Sequence, residues 1–300
     1  MENISAKRSY TKGITSIVIS ALGFAGMAFF VKLSGNVPIM QKAIFRNLIT
    51  TIFAFFMLIK SKEKFYVAPC NRWPLIGRCA CGTVGFVSNF IAIEHLPLGD
   101  SNILQKLSPF FAIIMSIFIL HEKPNRLAIG SVFLALIGAI FVAKPTSGIV
   151  SLPALIGVLG GLGAGSAYTF VRKLGLGGVK GSLIIFAFSA SSVISILPVA
   201  IWEYRPMTLK QTGFLFLSGL CSVVGQVFVT KAYTFAPANA ISVFDYTQVL
   251  FAALLGFTFL GEIPDCYSII GYVIIIATAI SKWYLERRRD EKIATPDKAK

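Results

Sequence analysis

The chain has 300 residues, 55% of them hydrophobic and 14% charged, with a formal net charge of +15 and a mean hydropathy of +0.76. A water-soluble domain carries about 25% charged residues and must cover its surface with polar groups, so this composition excludes an ordinary soluble globule and points to lipid as the solvent. The positive excess does not call for nucleic acid, because the Lys and Arg residues lie mostly between and beyond the apolar runs and form no aromatic-interleaved basic patch.

A bilayer core needs about 20 apolar residues in helical form, and ten such runs follow one another along the chain. Residues 1–12, with Lys7, Arg8 and Lys12, read as a cytoplasmic N-terminal segment. The run 13–31 is longer than the apolar region of a signal peptide and no small-residue cleavage site follows it, so it is an uncleaved first helix. Ser34-Gly35-Asn36 and Pro38 separate it from 39–59, and the basic stretch from Lys60 to Lys64 leads to 75–95. Leu96-Pro97 introduces 100–120, Glu122 to Asn125 introduces 126–143, and Pro145 to Gly148 introduces 153–171. Gly177-Gly178 precedes 182–202, and Glu203 to Pro206 precedes 212–234; the runs 239–260 and 266–285 follow, and 286–300 is a basic cytoplasmic tail. Such short connections make successive helices antiparallel neighbours. The class expected is therefore an all-α polytopic membrane protein with ten transmembrane helices.

With a cytoplasmic N-terminus, 20 Lys and Arg fall on the inner loops and tails and 5 on the outer ones. That asymmetry predicts both termini inside. Cys70, Cys79, Cys81, Cys221 and Cys266 make no CxxC pair and no His-Cys cluster, so they read as small apolar packers and no metal or other cofactor is expected.

Displaced by 140 residues, the chain matches itself without a gap: Leu22-Gly23 meets Leu162-Gly163, Cys81 meets Cys221, Gly85 meets Gly225, Pro97 meets Pro237, and Leu120, Glu122 and Pro124 meet Leu260, Glu262 and Pro264. Five spans per copy is odd, so the second copy enters the membrane from the opposite side. This is an inverted-topology repeat, 13–143 followed by 153–285, an arrangement used by many secondary transporters.

The doubled unit resembles the drug/metabolite transporter superfamily, in its branch of paired EamA domains. The marks are Ala43-Ile44-Phe45-Arg46-Asn47 in the second span, Leu120-His121-Glu122-Lys123-Pro124 after the fourth, and Leu260-Gly261-Glu262-Ile263-Pro264 after the ninth. The resemblance covers residues 12–285. It implies a basket of helices 1–4 and 6–9 around a central cavity, with helices 5 and 10 peripheral. It also implies the absence of an ATPase domain, and metabolite or drug movement across a bacterial inner membrane. Helix 5, almost wholly apolar, fits a face turned to lipid or to the second copy of a homodimer.

An ionisable group at membrane depth is costly and ordinarily faces a cavity or a partner. Asn102, Gln105, Lys106 and Pro109 share one face of the fourth span, where Pro109 removes a backbone hydrogen bond and can kink the helix. The ninth span carries Ser242, Asp245 and Tyr246 on the equivalent face; Gln226 and Tyr233 line the eighth with Lys231 beside them, and Arg46 lies on the second. Two readings stand for Arg46, facing the cavity or snorkelling to the headgroups. Lys106 and Asp245 lie toward opposite ends of their spans and need not touch, whereas Lys231 and Asp245 share the inner third and invite an ion pair. The glycine stripe Gly157, Gly161 and Gly165, matched by Ala21 and Ala25, reads as close helix packing, and Ser189, Ser192 and Ser195 read as contacts between helices.

His121-Glu122 lacks the second histidine of a zinc protease helix, and neither a GxSxG elbow nor a Walker lysine loop is present, so no enzyme is expected. The function expected is secondary transport, in the direction of export, of a small metabolite such as an amino acid or organic anion. Arg46, Asn102, Gln105, Lys106, Gln226, Tyr233, Ser242, Asp245 and Tyr246 are the substrate-binding candidates. The alternative from another class is a membrane-embedded receptor or scaffold that binds a ligand without moving it. Arg46, Lys106 and Lys231 against the single Asp245 favour an anionic or zwitterionic solute. Topology reporters fused after Pro145 and after Lys292 are expected to report opposite sides of the membrane; the same side for both would overturn the inverted repeat.

Overall fold

The computed structural model describes residues 2–60, 66–95, 104–123, 125–143, 152–261, 263 and 265–294. Backbone amides find no water in a bilayer core, so a spanning segment must close its own hydrogen bonds. Among the described residues all regular structure is accordingly helical: α1 (Glu2–Leu33), α2 (Ile39–Lys60), α3 (Pro69–His95), α4 (Ser108–Leu120), α5 (Arg126–Ala143), α6 (Leu152–Leu176), α7 (Gly181–Trp202), α8 (Leu209–Phe235), α9 (Ala238–Leu260) and α10 (Cys266–Ala294). Eight of them are long and apolar enough to cross a membrane, and Ser108–Leu120 and Arg126–Phe141 are shorter apolar helices.

The ends follow the local chemistry. Thr208 caps α8 in a reciprocal box with Gln211. α4 and α9 both stop on a residue in the left-handed region, His121 at φ 56° and Gly261 at φ 67°. These positions correspond under the 140-residue offset, and the histidine occupies a conformation that glycine takes without a steric penalty. Some boundaries differ from the hydropathy runs. α3 begins at Pro69, six residues before the run 75–95, and α10 continues to Ala294, nine residues past the run 266–285.

Packing is set by small residues. α1 lies on α8, where a Cβ on Gly23 would come within 2.6 Å of the Gly225 nitrogen. The same crossing carries hydrogen bonds from the Ser20 hydroxyl to the Gly225 carbonyl (2.8 Å) and from the Ser218 hydroxyl to the Met27 carbonyl (3.2 Å). α6 lies on α3 in the same way, with a Cβ on Gly163 within 2.7 Å of the Gly85 Cα. The stripe Gly157, Gly161 and Gly165 faces the start of α4, and a Cβ on Gly161 would stand 2.7 Å from the Leu104 carbonyl oxygen. Backbones this close leave no room for a side chain.

α2 packs on α7 and α8, α3 on α7, and α1 and α6 on α9 and α4 respectively. α5 pairs chiefly with α10, where a Cβ on Gly138 would meet the Gly271 carbonyl at 2.9 Å. Of the α7 serines, Ser192 bonds across to Thr83 on α3 at 2.9 Å, whereas Ser189 and Ser195 bond within their own helix. Gly23→Val is expected to lower the stability of the detergent-purified protein by about 1–3 kcal/mol or to abolish folding, because overpacking there meets backbone. Gly213→Ala, at a site with open space, is expected to leave the melting temperature unchanged; equal effects of the two would discount the Gly23 crossing.

Candidate functional site

Two helices are interrupted at corresponding places. Before α4, Leu104 and Gln105 are helical, Lys106 and Leu107 form a turn, and the α-helix starts at Ser108. α9 begins with one α-turn, Ala238–Ile241, tightens to a 3-10 stretch over Ser242–Tyr246, and resumes as α-helix at Thr247. Ser and Asp offer the backbone competing hydrogen bonds, and Val and Phe give up rotamer freedom, so this stretch resists regular α-geometry. Pro109 does not kink a continuous helix as the sequence suggested. It stands at the second helical position, where a missing amide hydrogen costs nothing, and the break lies before it.

The interruptions meet. The Tyr246 hydroxyl donates to the Lys106 carbonyl at 2.8 Å. The Lys106 ammonium donates to the Gln248 side-chain oxygen at 2.6 Å and to both the backbone carbonyl and the carboxylate of Asp245 at 3.3 Å. Three N–H donors thus find three acceptors, and Lys106 and Asp245 form an ion pair with each residue 7% exposed. This corrects the expectation that the two charges need not touch. The turn at Lys106 and the reach of the lysine stem close the gap that counting along two straight helices leaves open. The proposed pairing of Lys231 with Asp245 is overturned as well, since Lys231 is exposed and lies 4.9 Å from the Phe228 ring.

Arg46 does not snorkel. It is 9% exposed, its Nε donates to the Ser222 hydroxyl on α8 at 2.9 Å, and its guanidinium stands 4.6 Å from the Phe86 ring and 5.7 Å from the Phe24 ring. Several buried polar atoms of the interior make no hydrogen bond of good geometry: Nδ2 of Asn47, Oε1 of Gln226, Oγ1 of Thr230 and Oγ of Ser242. Unpartnered buried polar groups are uncommon and call for an explanation beyond packing. Tyr233 stacks on Tyr168 of α6 with centroids 4.9 Å apart and planes inclined by 15°. Tyr168 lies within electrostatic reach of Asp245, Arg46 and Arg78, so it joins the lysine cluster to the arginine side.

The structure therefore brings Lys106, Asp245 and Tyr246 together with Gln248; Arg46, Gln226, Tyr233 and Ser242 are buried as well, Arg46 against Ser222 and the Phe86 ring rather than in that cluster. Gln105 is half-buried. Asn102 lies outside the described residues.

Three residues escaped the sequence reading. Tyr168 looked like one aromatic among many. Arg78 and Lys282, 2% and 0% exposed, were counted among basic loop and tail residues because each stands near a cluster of cations. The signal available was their apolar and small flanks, such as Gly77, Ala80 and Gly82 around Arg78. Lys282 donates to the carbonyls of Asn239 and Ala240, the latter at 3.2 Å, and so holds the entry of α9 just before its 3-10 stretch.

Two apolar crevices flank the bundle, one of about 450 Å³ lined by Phe29, Phe30 and Phe259, the other of about 510 Å³ lined by Leu75, Ile76, Cys79 and Ser191. Neither is lined by Lys106, Asp245 or Arg46. At the far end of α6, Arg172 pairs with Glu122 at 3.6 Å and donates to the Thr234 carbonyl at 2.8 Å, while Lys173 donates to the Ile119 carbonyl at 3.2 Å.

Residues 11–144 and 151–281 each match the EamA-like transporter family. The chain is 30% identical over 272 residues to the pseudopaline exporter CntI of Pseudomonas aeruginosa, covering 90% of this chain and 95% of that one. It is 26% identical to human solute carrier family 35 member G1, over 91% of this chain and 80% of the relative, and 25% identical to the riboflavin transporter of Rhizobium johnstonii, over 74% of each. A crystal structure of a protein 13% identical in sequence superimposes with a TM-score of 0.78 over 93% of this chain and 98% of its own, which shows the shared fold.

Lys106→Met and Asp245→Asn are each expected to lower stability by about 3–5 kcal/mol, because each strands a buried charge or its polar partners, and the double variant is expected to recover much of the loss. Unfolding of the four proteins in one detergent checks this; strictly additive losses would show that the pair is not coupled.

Proposed function

The chain belongs to the EamA-like transporter family, and from that premise we propose that it is a secondary exporter of a small anionic or zwitterionic metabolite in a bacterial inner membrane. It works by alternating access between two five-helix halves, 13–143 and 153–285, of opposite topology. Ten spans leave both termini in the cytoplasm. The exporter among its relatives supports the direction, and the loop charge bias supports the orientation even with Arg78 and Lys282 removed from the tally.

The inverted arrangement is supported by packing that repeats itself under the 140-residue offset. Gly23 on Gly225 corresponds to Gly163 on Gly85, and the contact of α1 with α9 corresponds to that of α6 with α4. One pair departs from the correspondence. α6 packs on α8 through Tyr168 with Tyr233 and Arg172 with the Thr234 carbonyl, whereas among the described residues α1 does not pack comparably on α3.

The observation that carries the reading is the Lys106 cluster, where charges from both halves meet at two helix breaks in the bundle interior. A substrate carboxylate competes with Asp245 for the Lys106 ammonium, and a substrate ammonium takes the carboxylate that Lys106 releases. Because Lys106 and Asp245 sit on opposite halves, exchanging their mutual contact for contacts to the solute changes the energy of one half's position against the other, which is how binding biases a two-state equilibrium. Arg46 supplies a fixed cation, and Asn102, Gln105, Gln226, Tyr233, Ser242 and Tyr246 supply polar contacts that select the solute. Paired helices α5 and α10 stand to one side, where a homodimer contact or lipid would cover them.

An untargeted comparison of metabolites retained by cells with and without the protein names the solute, and its efflux from proteoliposomes then tests the site. Arg46→Gln and Lys106→Gln are each expected to reduce transport at least 100-fold while both proteins remain in the membrane. Normal flux in both would exclude a positively charged site.

A further inference from the structure

Arg78 is not among the groups assigned to the substrate so far, and its surroundings do not explain why a cation is there. It is 2% exposed on α3, one of the most enclosed large side chains in the chain, and its Nε has no hydrogen-bond partner. Among the described residues no carboxylate lies within ion-pair distance of Arg78 or of Arg46. The Arg78 guanidinium stands 3.9 Å from the ring centroid of Phe188 on α7. A cation over an aromatic face regains only part of what an unpaired ion loses on leaving water.

The backbone makes room for this cation. A Cβ on Gly82, one turn further along α3, would strike the Arg78 guanidinium and come within 2.7 Å of the Phe188 ring. The guanidinium is therefore folded over Gly82, toward the next turn. On that next turn stands Phe86, the ring against which Arg46 lies at 4.6 Å. Arg78, Gly82 and Phe86, at i, i+4 and i+8, share one face of α3, and the levels of Gly82 and Phe86 differ by about 6 Å at 1.5 Å per residue. The two guanidiniums lie within electrostatic reach of each other and of Tyr168. Like charges within reach of one another in a low dielectric raise each other's cost and lower that of an anion between them.

We propose that Arg78 and Arg46 together form a double-arginine seat for a solute carrying two anionic groups, with Gly82 supplying the space for the Arg78 guanidinium and Phe188 its backing. The proposal rests on the transport reading above and narrows it from an anionic or zwitterionic solute to a dianionic one. Each arginine presents a planar fork suited to a carboxylate, and one turn of helix separates the two seats. The repeat places the two cations on matching interfaces: Arg46 leaves α2 to meet α8 at Ser222, Arg78 leaves α3 to meet α7 at Phe188, and Ser222 corresponds to Gly82 under the 140-residue offset.

The test is thermal unfolding of the detergent-purified full chain with succinate or propionate at equal ionic strength, in wild type, Arg78→Met and Arg46→Gln. Succinate is expected to raise the wild-type melting temperature by several degrees more than propionate does. Arg78→Met is expected to keep the propionate shift, lose the succinate excess, and melt without anions at or above the wild-type temperature, since it removes an uncompensated charge. Persistence of the succinate excess in Arg78→Met, a ligand-free melting temperature several degrees below wild type, or a wild type indifferent to both anions would each overturn the proposal. Loss of both shifts in Arg46→Gln with none in Arg78→Met would overturn it while leaving the Arg46 and Lys106 reading intact. Should Arg78→Met fail to fold, Gly82→Ala, which intrudes on the guanidinium's seat, is read in the same assay, and retention of the succinate excess there is equally fatal.

Discussion

A lysine ammonium between two interrupted helices is the interaction on which the interior of this protein depends. The turn at Lys106 and the 3-10 stretch of Ser242–Tyr246 both remove regular backbone hydrogen bonds at a depth where no bulk water replaces them. Each break is made tolerable by the other: the Lys106 carbonyl accepts from Tyr246, and the Lys106 ammonium is shared among the Asp245 carbonyl, the Asp245 carboxylate and Gln248. Lys282 does the same for the carbonyls of Asn239 and Ala240 at the entry of α9. Irregular backbone persists in the interior because cations and a tyrosine from other helices satisfy it.

The second constraint is closeness. Lys106 can reach Asp245, and Arg46 can reach Ser222, only if the helices that carry them stand near enough, and glycine sets that distance. Gly23 on Gly225 and Gly163 on Gly85 bring α1 to α8 and α6 to α3 at backbone contact, and Gly161 and Gly165 bring α6 to the start of α4. In a bilayer such crossings gain dispersion contacts and weak polar bonds rather than hydrophobic energy, so the Ser20 and Ser218 bonds to opposing carbonyls add direction to what is otherwise steric fit. The same economy of side chains at Gly82 is what admits the Arg78 guanidinium to the interior.

Charge in this interior is unevenly balanced. Lys106 has its carboxylate, whereas Arg46 and Arg78 have aromatic rings and a serine hydroxyl. A protein selected for stability alone would replace two such arginines with apolar residues. The amide and hydroxyl groups of Asn47, Gln226, Thr230 and Ser242 are likewise buried without a hydrogen-bond partner among the described residues, and such groups call for an explanation beyond packing.

The sequence by itself determined the solvent, the run of apolar segments, the 140-residue repeat and the resemblance to paired EamA domains, because hydropathy, loop charge and self-similarity are properties of the chain order alone. It also picked out Lys106, Asp245, Tyr246 and Arg46, since an ionisable or aromatic polar group in an apolar run stands out without coordinates. Only the tertiary structure decided which of these meet. Lys106 reaches Asp245 because a turn replaces the expected continuous helix before α4, and Lys231 does not because it emerges on the exposed side of α8. Arg78 and Lys282 stand beside basic clusters although both lie within apolar runs, and their burial is decided by what faces them, the Phe188 ring for Arg78 and the carbonyls of Asn239 and Ala240 for Lys282. A charge count sees the distance along the chain to the nearest cation, whereas the cost of a buried charge depends on depth and facing partners, which the chain acquires only when its helices pack.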